Sequence, residues 1–312
     1  MRNAPVSDRA PVGVFVGLAT LDVIHRITKP PGVNQKITAG AQFVAAGGPA
    51  ANAAITFAAL GGGAVLVTAL GEDPVAELIR ADLAAYGVTV VDAAAGTTAA
   101  VPVSAVSVVE STGDRSVVSM DAVNSEAAPP DHLFDLVAGA DVVLVDGHHP
   151  VIARAAADHV AALDTTLVVD AGRWKPVMGD IIGSATDMVC SGDFRVPGTD
   201  TASSSAASLV SSGVRTVVTT HGGDPVQWWS DGESGSVPVE PVVVVDTLGA
   251  GDAFHGAYAY FSTQAMTGIT ERIERSAGVA ALRCSVVGPR AWLDQLSRDQ
   301  NVPRDRSRKR ER

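Results

Sequence analysis

The chain has 312 residues, of which 46% are hydrophobic, and its formal net charge is −11. This composition predicts a large buried core, and the negative charge argues against nucleic acid as the main partner, because nucleic-acid-binding proteins present a basic face to the phosphates. The two cysteines lie far apart without a signal-peptide pattern, which indicates a reducing cytoplasm, and no apolar run approaches the roughly 20 residues that span a bilayer.

Short valine-rich runs alternate with alanine-rich stretches of helical character along most of the chain. The pattern predicts strands at residues 12–18, 64–69, 142–145, 167–170 and 216–219, separated by helices at 50–60, 74–86, 150–163 and 202–212. Short apolar strands with helices between them are typical of a parallel sheet that is covered on both faces. We therefore expect an α/β fold with three αβα layers and a mostly parallel central sheet.

Two stretches, residues 20–45 and 97–121, break this alternation. The first looks extended around PPG at 30–32, and the second holds two strand-like runs around STGD at 111–114, which is hairpin chemistry. They predict either a small β-sheet that projects from the main sheet as a lid or an ordinary edge extension of the main sheet.

Both ends of the chain look additional to this domain, which is predicted to span residues 12–298. Residues 1–11 form a ragged leader. Residues 299–312 carry six basic and three acidic residues and lack apolar periodicity, which favours a disordered, solvated terminus. The alternative for this tail is an arm that docks nucleic acid or another partner.

A loop of small residues stands out at residues 246–254, with the sequence DTLGAGDAF. It follows an apolar, strand-like run at 242–245 and leads into a helix-compatible segment. The free N–H groups and the dipole at such a helix N-terminus favour an anion, and larger side chains would keep a phosphate away from these groups. Gly249, Ala250 and Gly251 are therefore predicted to form a phosphate-binding turn.

The two aspartates of this loop need separate explanations. Asp252 would lie in the first turn of the helix, where its carboxylate repels a bound phosphoryl group unless it accepts a proton from an attacking hydroxyl. The simpler alternative is a helix cap. Asp246 could orient the loop, contact a cation or cap the turn. The loop thus predicts a kinase with Asp252 as general base.

The same nine residues closely resemble the signature of the ribokinase-like (PfkB) carbohydrate kinases, Asp-Thr-x-Gly-Ala-Gly-Asp-x-Phe. A second stretch, GGPAANAA at 47–54, is similar to the family's Gly-Gly turn that leads into a helix. The resemblance covers roughly residues 12–296. It implies a ribokinase-like fold with a β lid, and transfer of phosphate from ATP, with Mg²⁺, to a hydroxyl of a ketose or pentose. The chain has no GxxxxGK[ST] motif of P-loop enzymes.

The resemblance also implies roles for single positions. It makes Asp252 the base and the turn at 249–251 the anion hole, and it matches Asp22, Gly48 and Asn52 to sugar contacts. The alternatives are a surface turn residue for Asp22 and a buried helix-capping amide for Asn52.

On the nucleotide side, the resemblance points to Thr220 and Gly222 near the ATP phosphates. It also places Ala277 and Gly278 in a helix of small residues beside the adenine, for which an alanine-rich buried helix is the competing explanation. Asp246 is consistent with a potassium site.

Several positions depart from the family pattern. Pro49 stands where ribokinase has Lys, and residues 187–194 lack the Asn-x-x-Glu motif near the metal, for which Asp193 could substitute in part. DGHHP at 146–150 and ALRC at 281–284 look more like the ketohexokinase and sulfofructose kinase branch. The two histidines of the first stretch are either pocket residues or loop packing.

Two other functions stay open. A nucleoside kinase of the same family would need a pocket for a base, and only 4% of the residues are aromatic. A non-catalytic sugar-sensing protein on the kinase fold is the alternative from another class. The family's lid often forms a dimer contact, so a homodimer through the lid is expected. No nucleic-acid or membrane partner is expected.

Overall fold

A computed structural model of the chain describes residues 9–98, 101–163, 165–264 and 268–300. In chain order the strands are β1 (Val12–Val16), β2 (Thr20–Ile27), β3 (Ala41–Gly47), β4 (Gly63–Thr68), β5 (Val88–Asp92), β6 (Val103–Val109), β7 (Arg115–Val118), β8 (Val142–Val145), β9 (Thr166–Ala171), β10 (Asp187–Ser191), β11 (Thr216–His221), β12 (Asp224–Ser230) and β13 (Glu233–Val237). The helices are α1 (Pro49–Ala59), α2 (Pro74–Ala85), α3 (Leu133–Ala138), α4 (Pro150–Leu163), α5 (Met178–Ile181), α6 (Ala202–Ser211), α7 (Ala250–Ser262), α8 (Ile269–Ser285) and α9 (Ala291–Gln300).

Within the described residues, the main sheet has nine strands in the order β13-β12-β11-β10-β9-β8-β1-β4-β5. The strands from β11 to β5 in this order are parallel, and β12 and β13 are antiparallel. Consecutive residues of a strand point to opposite faces, so Phe15 packs in a core with α1, α7 and α8, while Val14 packs in a second core with α4 and α6. The predicted three-layer fold is confirmed. None of the described helices has the length and apolar character of a membrane span.

The two irregular stretches form a separate sheet in the order β3-β2-β6-β7. The prediction of a lid is confirmed and the edge extension is wrong, because β2 pairs with β3 and β6 rather than with a strand of the main sheet. Residues 99–100 of the predicted segment lie outside the described residues. The inner face of the lid carries Ile24 and Val106, which pack against Leu248 of the DTLGAGDAF loop. The lid therefore covers the edge of the main sheet at which that loop lies.

The predicted strand at residues 242–245 is wrong. The N–H of Val245 donates to the carbonyl of Cys284 in α8 at 2.9 Å, and no strand among the described residues pairs with this run. The side chains of Val242, Val243 and Val244 are exposed. Valine-rich sequence favours a strand only where neighbouring strands and a buried face support it, and both are missing here.

The ends of the domain differ from the prediction in one respect. Helix α9 continues to Gln300, so the first two residues of the predicted tail are helical. Residues 301–312 of that tail and residues 1–8 of the leader lie outside the described residues. At the other end, Arg9 forms an ion pair with Asp141 at 2.8 Å.

Candidate active site

The Gly-Gly turn before α1 is held by a carboxylate from the loop that follows β8. Gly48 is the N-cap of α1 with φ of 96°, and a β-carbon there would lie 2.3 Å from the carbonyl oxygen of Leu18. Pro49 has no N–H, so the first free amide of the helix is that of Ala50, which donates to Asp146 at 3.1 Å. Asp146 also accepts from the N–H of Leu18 at 3.0 Å. This buried carboxylate therefore fixes the start of α1, and with it the position of Asn52 in the first turns of the helix.

The histidines that follow Asp146 are packing residues rather than part of the cleft described below. Burial favours the neutral form of Asp146, but its interactions with His148 and Lys175 outweigh that effect and lower its pKa. Nδ1 of His149 lies 2.9 Å from the hydroxyl of Ser125, and burial lowers the pKa of His149 to about 4. Both imidazoles are almost fully buried. The loop-packing alternative is therefore the one that the contacts support.

Helix α7 begins within the predicted phosphate-binding turn, at Ala250. Gly249 is its N-cap with φ of 70°, so Asp252 lies in the first turn without being the N-cap residue. The Oδ2 atom of Asp252 accepts a hydrogen bond from Nδ2 of Asn52 at 2.8 Å. Ala250 donates its N–H to the carbonyl of Thr247 at 3.3 Å, whereas the amides of Gly249 and Gly251 have no protein acceptor among the described residues. Two free amides and one carboxylate thus share the N-terminus of α7.

A cleft that opens to solvent lies between the lid and the N-terminal turns of α1 and α7. It is lined by Asp22, Ile24, Ala46, Asn52, Ile55, Thr56, Leu248, Gly249, Arg283, Pro289, Arg290 and Trp292. The cleft therefore contains three of the predicted residues, and Asp252 is bonded to one of them.

Asp22 is a buried acid at the wall of this cleft. Its Oδ1 accepts from the hydroxyl of Thr20 at 2.7 Å, and a β-carbon on Gly47 would lie 2.1 Å from its Oδ2, so only glycine fits beside it. Burial raises the pKa of Asp22 and the charge of Asp252 adds to this, while hydrogen bonds from Thr20 and Ser104 act in the opposite direction. Asp22 and Asp252 make the cleft a negative environment that suits hydroxyl donors.

Arg290 is a cleft residue that the sequence analysis missed. Its Nη1 lies 3.4 Å from Oδ1 of Asn52, and its Nη2 donates to Asp82 at 2.7 Å and to the carbonyl of Ala46 at 2.6 Å. Because the guanidinium faces the oxygen of the Asn52 amide, the NH₂ group of that amide faces Asp252. No local pattern around GPR at 288–290 reveals this role, since the partners lie more than 200 residues earlier in the chain.

The lid touches the DTLGAGDAF loop through polar contacts as well. The carbonyl of Gly113, at the tip of the β6–β7 hairpin, accepts from the N–H of Thr247 at 3.1 Å and from its hydroxyl at 2.8 Å. Arg115 donates to the same hydroxyl at 3.1 Å, and Arg26 of β2 donates to the carbonyl of Val245 at 3.0 Å. The lid thus holds the loop in front of Gly249.

Asp246 is buried behind the same loop. Its Oδ1 accepts from the N–H of Leu248 at 3.1 Å, and its Oδ2 accepts from the N–H of Gly288 at 3.1 Å. Nη2 of Arg283 lies 3.3 Å from Oδ2. Asp246 therefore orients the loop and connects it to the segment that follows α8.

The four residues predicted for the nucleotide side lie outside the lining of the cleft. Thr220 lies near the C-terminal end of β11, and its hydroxyl donates to the carbonyl of Cys190 at 3.4 Å. Gly222 lies just after the strand and has φ of 64°. Ala277 is buried in α8 and Gly278 is exposed one residue later. A β-carbon on either glycine would have nothing within 4 Å. The structure thus brings Asp22, Asn52 and Gly249 together at one cleft, whereas Gly48 and the four residues predicted for ATP do not line it.

Comparisons with known proteins identify the family and the fold. The family model described as "pfkB family carbohydrate kinase" matches residues 14–295. A putative ribokinase from Agrobacterium tumefaciens is 25% identical with a TM-score of 0.80, and the match covers 94% of this chain and 99% of that one. Arabidopsis thaliana ribokinase, solved with ribose and ATP, is 25% identical with a TM-score of 0.73 over 92% of this chain and 99% of that one. Xylella fastidiosa fructokinase with bound ATP has the same fold at 19% identity and a TM-score of 0.70, over 93% and 99% of the two chains.

Proposed function

The chain belongs to the pfkB family of carbohydrate kinases, and from this premise we propose that it transfers the γ-phosphate of ATP to a hydroxyl of a small, uncharged ketose or pentose. The observation that carries the proposal is the hydrogen bond between Asn52 and Asp252 beside the free amides of α7. It places a carboxylate oriented by an amide at the N-terminus of a helix, where a phosphoryl group would be stabilised.

In the proposed reaction, Asp252 removes the proton from the sugar hydroxyl as its oxygen attacks the γ-phosphorus of ATP. The bond from phosphorus to the bridging oxygen breaks, and ADP leaves with that electron pair. The amides of Gly249 and Gly251 stabilise the charge on the transferred group. Ala250 has a weaker role in this anion hole than predicted, because its N–H is directed to Thr247.

An uncharged sugar fits the cleft better than a phosphorylated or sulfonated one. Asp22 and Asp252 accept hydrogen bonds from hydroxyls and repel an anionic group. The two arginines of the lining are both paired, Arg283 with Asp246 at 3.3 Å and Arg290 with Asp82 at 2.7 Å. An anionic substrate would have to separate one of these pairs and leave a carboxylate without its partner.

ATP would lie on the open side of α7, between the end of β11 and the small residues of α8. Thr220 and Gly222 would contact the phosphates, and Ala277 and Gly278 would face the adenine. Mg²⁺ would bind through the ATP phosphates. Asp193, exposed on the turn after β10, fits a hydrated ion as a carboxylate that acts through water. When bound, Mg²⁺ supplies positive charge that neutralises the phosphates.

The outer face of the lid supports a homodimer. Register places Val44 opposite Val23, then Ala105, then Val118, so these side chains share the face that points away from the cleft. Val44 is 52% exposed and Val118 is 77% exposed. We expect light scattering to show a dimer that Val118→Asp shifts to monomer. The matched variant Val210→Asp, on the exposed side of α6, should leave it unchanged; a monomeric wild-type protein would contradict this part of the proposal.

The proposal is tested by following ADP release from Mg-ATP with neutral sugars (ribose, fructose, psicose and tagatose), anionic sugars (fructose 6-phosphate and sulfofructose), and adenosine. We expect turnover with a neutral sugar. A preference for adenosine would favour a nucleoside kinase, and a preference for the anionic sugars would overturn the uncharged-substrate assignment. Sugar binding in a thermal-shift assay without turnover would instead favour a sugar sensor.

A further inference from the structure

Asp246, in the loop before the anion hole, forms a buried ion pair with Arg283 of α8. The proposed reaction does not by itself explain this pair. The side chains of Asp246 and Arg283 are 2% and 3% exposed, and they lie 3.3 Å apart. Charged groups are costly to bury unless each is paired and hydrogen-bonded. The pair is therefore a built part of the site rather than a chance contact.

The guanidinium of Arg283 contacts two oxygen atoms at this site. Its Nη2 lies against Oδ2 of Asp246, and its Nη1 donates to the carbonyl of Val286 at 3.2 Å. The remaining contacts of the Asp246 carboxylate are N–H donors, from Leu248 and Gly288. A potassium ion at Asp246 would need carboxylate and carbonyl oxygens as ligands, and the guanidinium already binds one of each kind. The donor set around Asp246 therefore does not fit a bound monovalent cation.

The backbone joins the same two segments. The carbonyl of Cys284, the residue after Arg283, accepts from the amides of Val245 at 2.9 Å and of Asp246 at 3.2 Å. Arg283 also lies in the last turn of α8, where a cation is favoured by the helix dipole. The end of α8 therefore holds the loop through the carbonyl of Cys284 and through the ion pair of Arg283 with Asp246.

We propose that Arg283 replaces the monovalent cation of this loop, so that the enzyme works without added potassium or sodium. Arg283 is a positioning residue: it neutralises Asp246, and Asp246 in turn holds Leu248 and Gly288 next to the turn at Gly249. The inference rests on the proposed kinase reaction for its activity test, and a stability test that needs no sugar accompanies it.

The activity test compares potassium chloride with tetramethylammonium chloride at equal ionic strength. The rate of the wild-type enzyme should agree within about twofold in the two salts, since no coupling to the cation is expected. Arg283→Ala opens space beside Asp246, so its lower rate should rise at least about fivefold in potassium, the lower range of a typical coupling between two sites. Arg275→Ala removes another arginine of the same helix, which stacks on the ring of Phe261 and lies near Glu271, and it should behave like wild type in this comparison of the two salts.

The stability test measures the melting temperature in the same two salts without any sugar. Wild type should melt at the same temperature in both, and Arg283→Ala should melt higher in potassium, because a ligand that binds only the folded state stabilises it. If Arg283→Ala does not fold, Arg283→Lys keeps a charge near Asp246 and should show no dependence on potassium. Potassium activation of wild type by more than about fivefold, or a higher wild-type melting temperature in potassium, would overturn the proposal. A failed sugar panel with equal melting temperatures would count against the substrate proposal alone.

Discussion

The sugar side and the nucleotide side of this kinase are built differently. On the sugar side, Asn52 binds Asp252 and Arg290, and residues from the lid, α1, α7 and the segment after α8 meet around one cleft. On the nucleotide side, Gly222 and Gly278 have open space where a side chain would be. In the proposed sugar site, side-chain contacts therefore set the geometry before any ligand binds. The proposed nucleotide site instead has open space beside these two glycines.

The largest expected difference between the two sides comes from adding one methyl group to a glycine on each. Gly48→Ala should destabilise the protein by at least about 2 kcal/mol, because positive φ costs a non-glycine residue roughly 1–2 kcal/mol and the methyl group would meet the carbonyl of Leu18. Gly278→Ala should instead stabilise α8 by about 0.5–1 kcal/mol. Urea unfolding of both variants measures this, and equal effects would contradict the comparison.

The next largest effect is expected from removing the guanidinium of Arg290, which orients Asn52. Arg290→Met should lower kcat about tenfold by releasing the amide that holds Asp252, with little change in KM for ATP. Asn52→Ala should lower kcat similarly, and the double variant should be no worse than Asn52→Ala, because the two residues act in one chain of contacts. Additive losses would show that Arg290 acts independently of Asn52.

The smallest expected effect concerns the buried acid of the cleft. Burial raises the pKa of Asp22 above its ordinary value of 3.8, so the folded protein binds this proton more tightly than the unfolded chain does. The resulting cost to stability is absent in acid and appears as pH rises through 3.8 to the higher folded-state pKa. Asp22→Asn should therefore melt at a higher temperature than wild type at neutral pH and at a similar temperature in acid. It should also raise KM for the sugar, and a lower melting temperature at neutral pH would contradict the assignment.

Much of this arrangement could be predicted from the sequence. Runs of valine and alanine identify the main sheet and its helices, because run length and β-branched content together distinguish buried strands from helices. The turn chemistry at residues 111–114 identifies the lid hairpin. The run at 242–245 fails this approach, since its composition is that of a strand, but its last amide, that of Val245, donates to the carbonyl of Cys284 in α8 instead of to a neighbouring strand.

The partners of the catalytic residues could not be predicted from local pattern. Asp146 caps α1 from 96 residues away, and Arg290 contacts Asn52 across 238 residues. The pairing of Arg283 with Asp246 joins the ALRC and DTLGAGDAF stretches, but neither stretch alone indicates it, and it makes Asp246 one half of a buried ion pair. Such contacts depend on how the layers pack, which a single sequence does not reveal.

The most direct test of the account is sugar-dependent ADP formation by Asp252→Asn beside wild type, with Asp158→Asn on the exposed side of α4 as the matched control. We expect Asp252→Asn to lower kcat by roughly 10²–10⁴-fold, the usual contribution of a general base. Sugar binding should be retained, and the control variant should be unaffected. A rate for Asp252→Asn within a few-fold of wild type would contradict the assignment of Asp252 as the base.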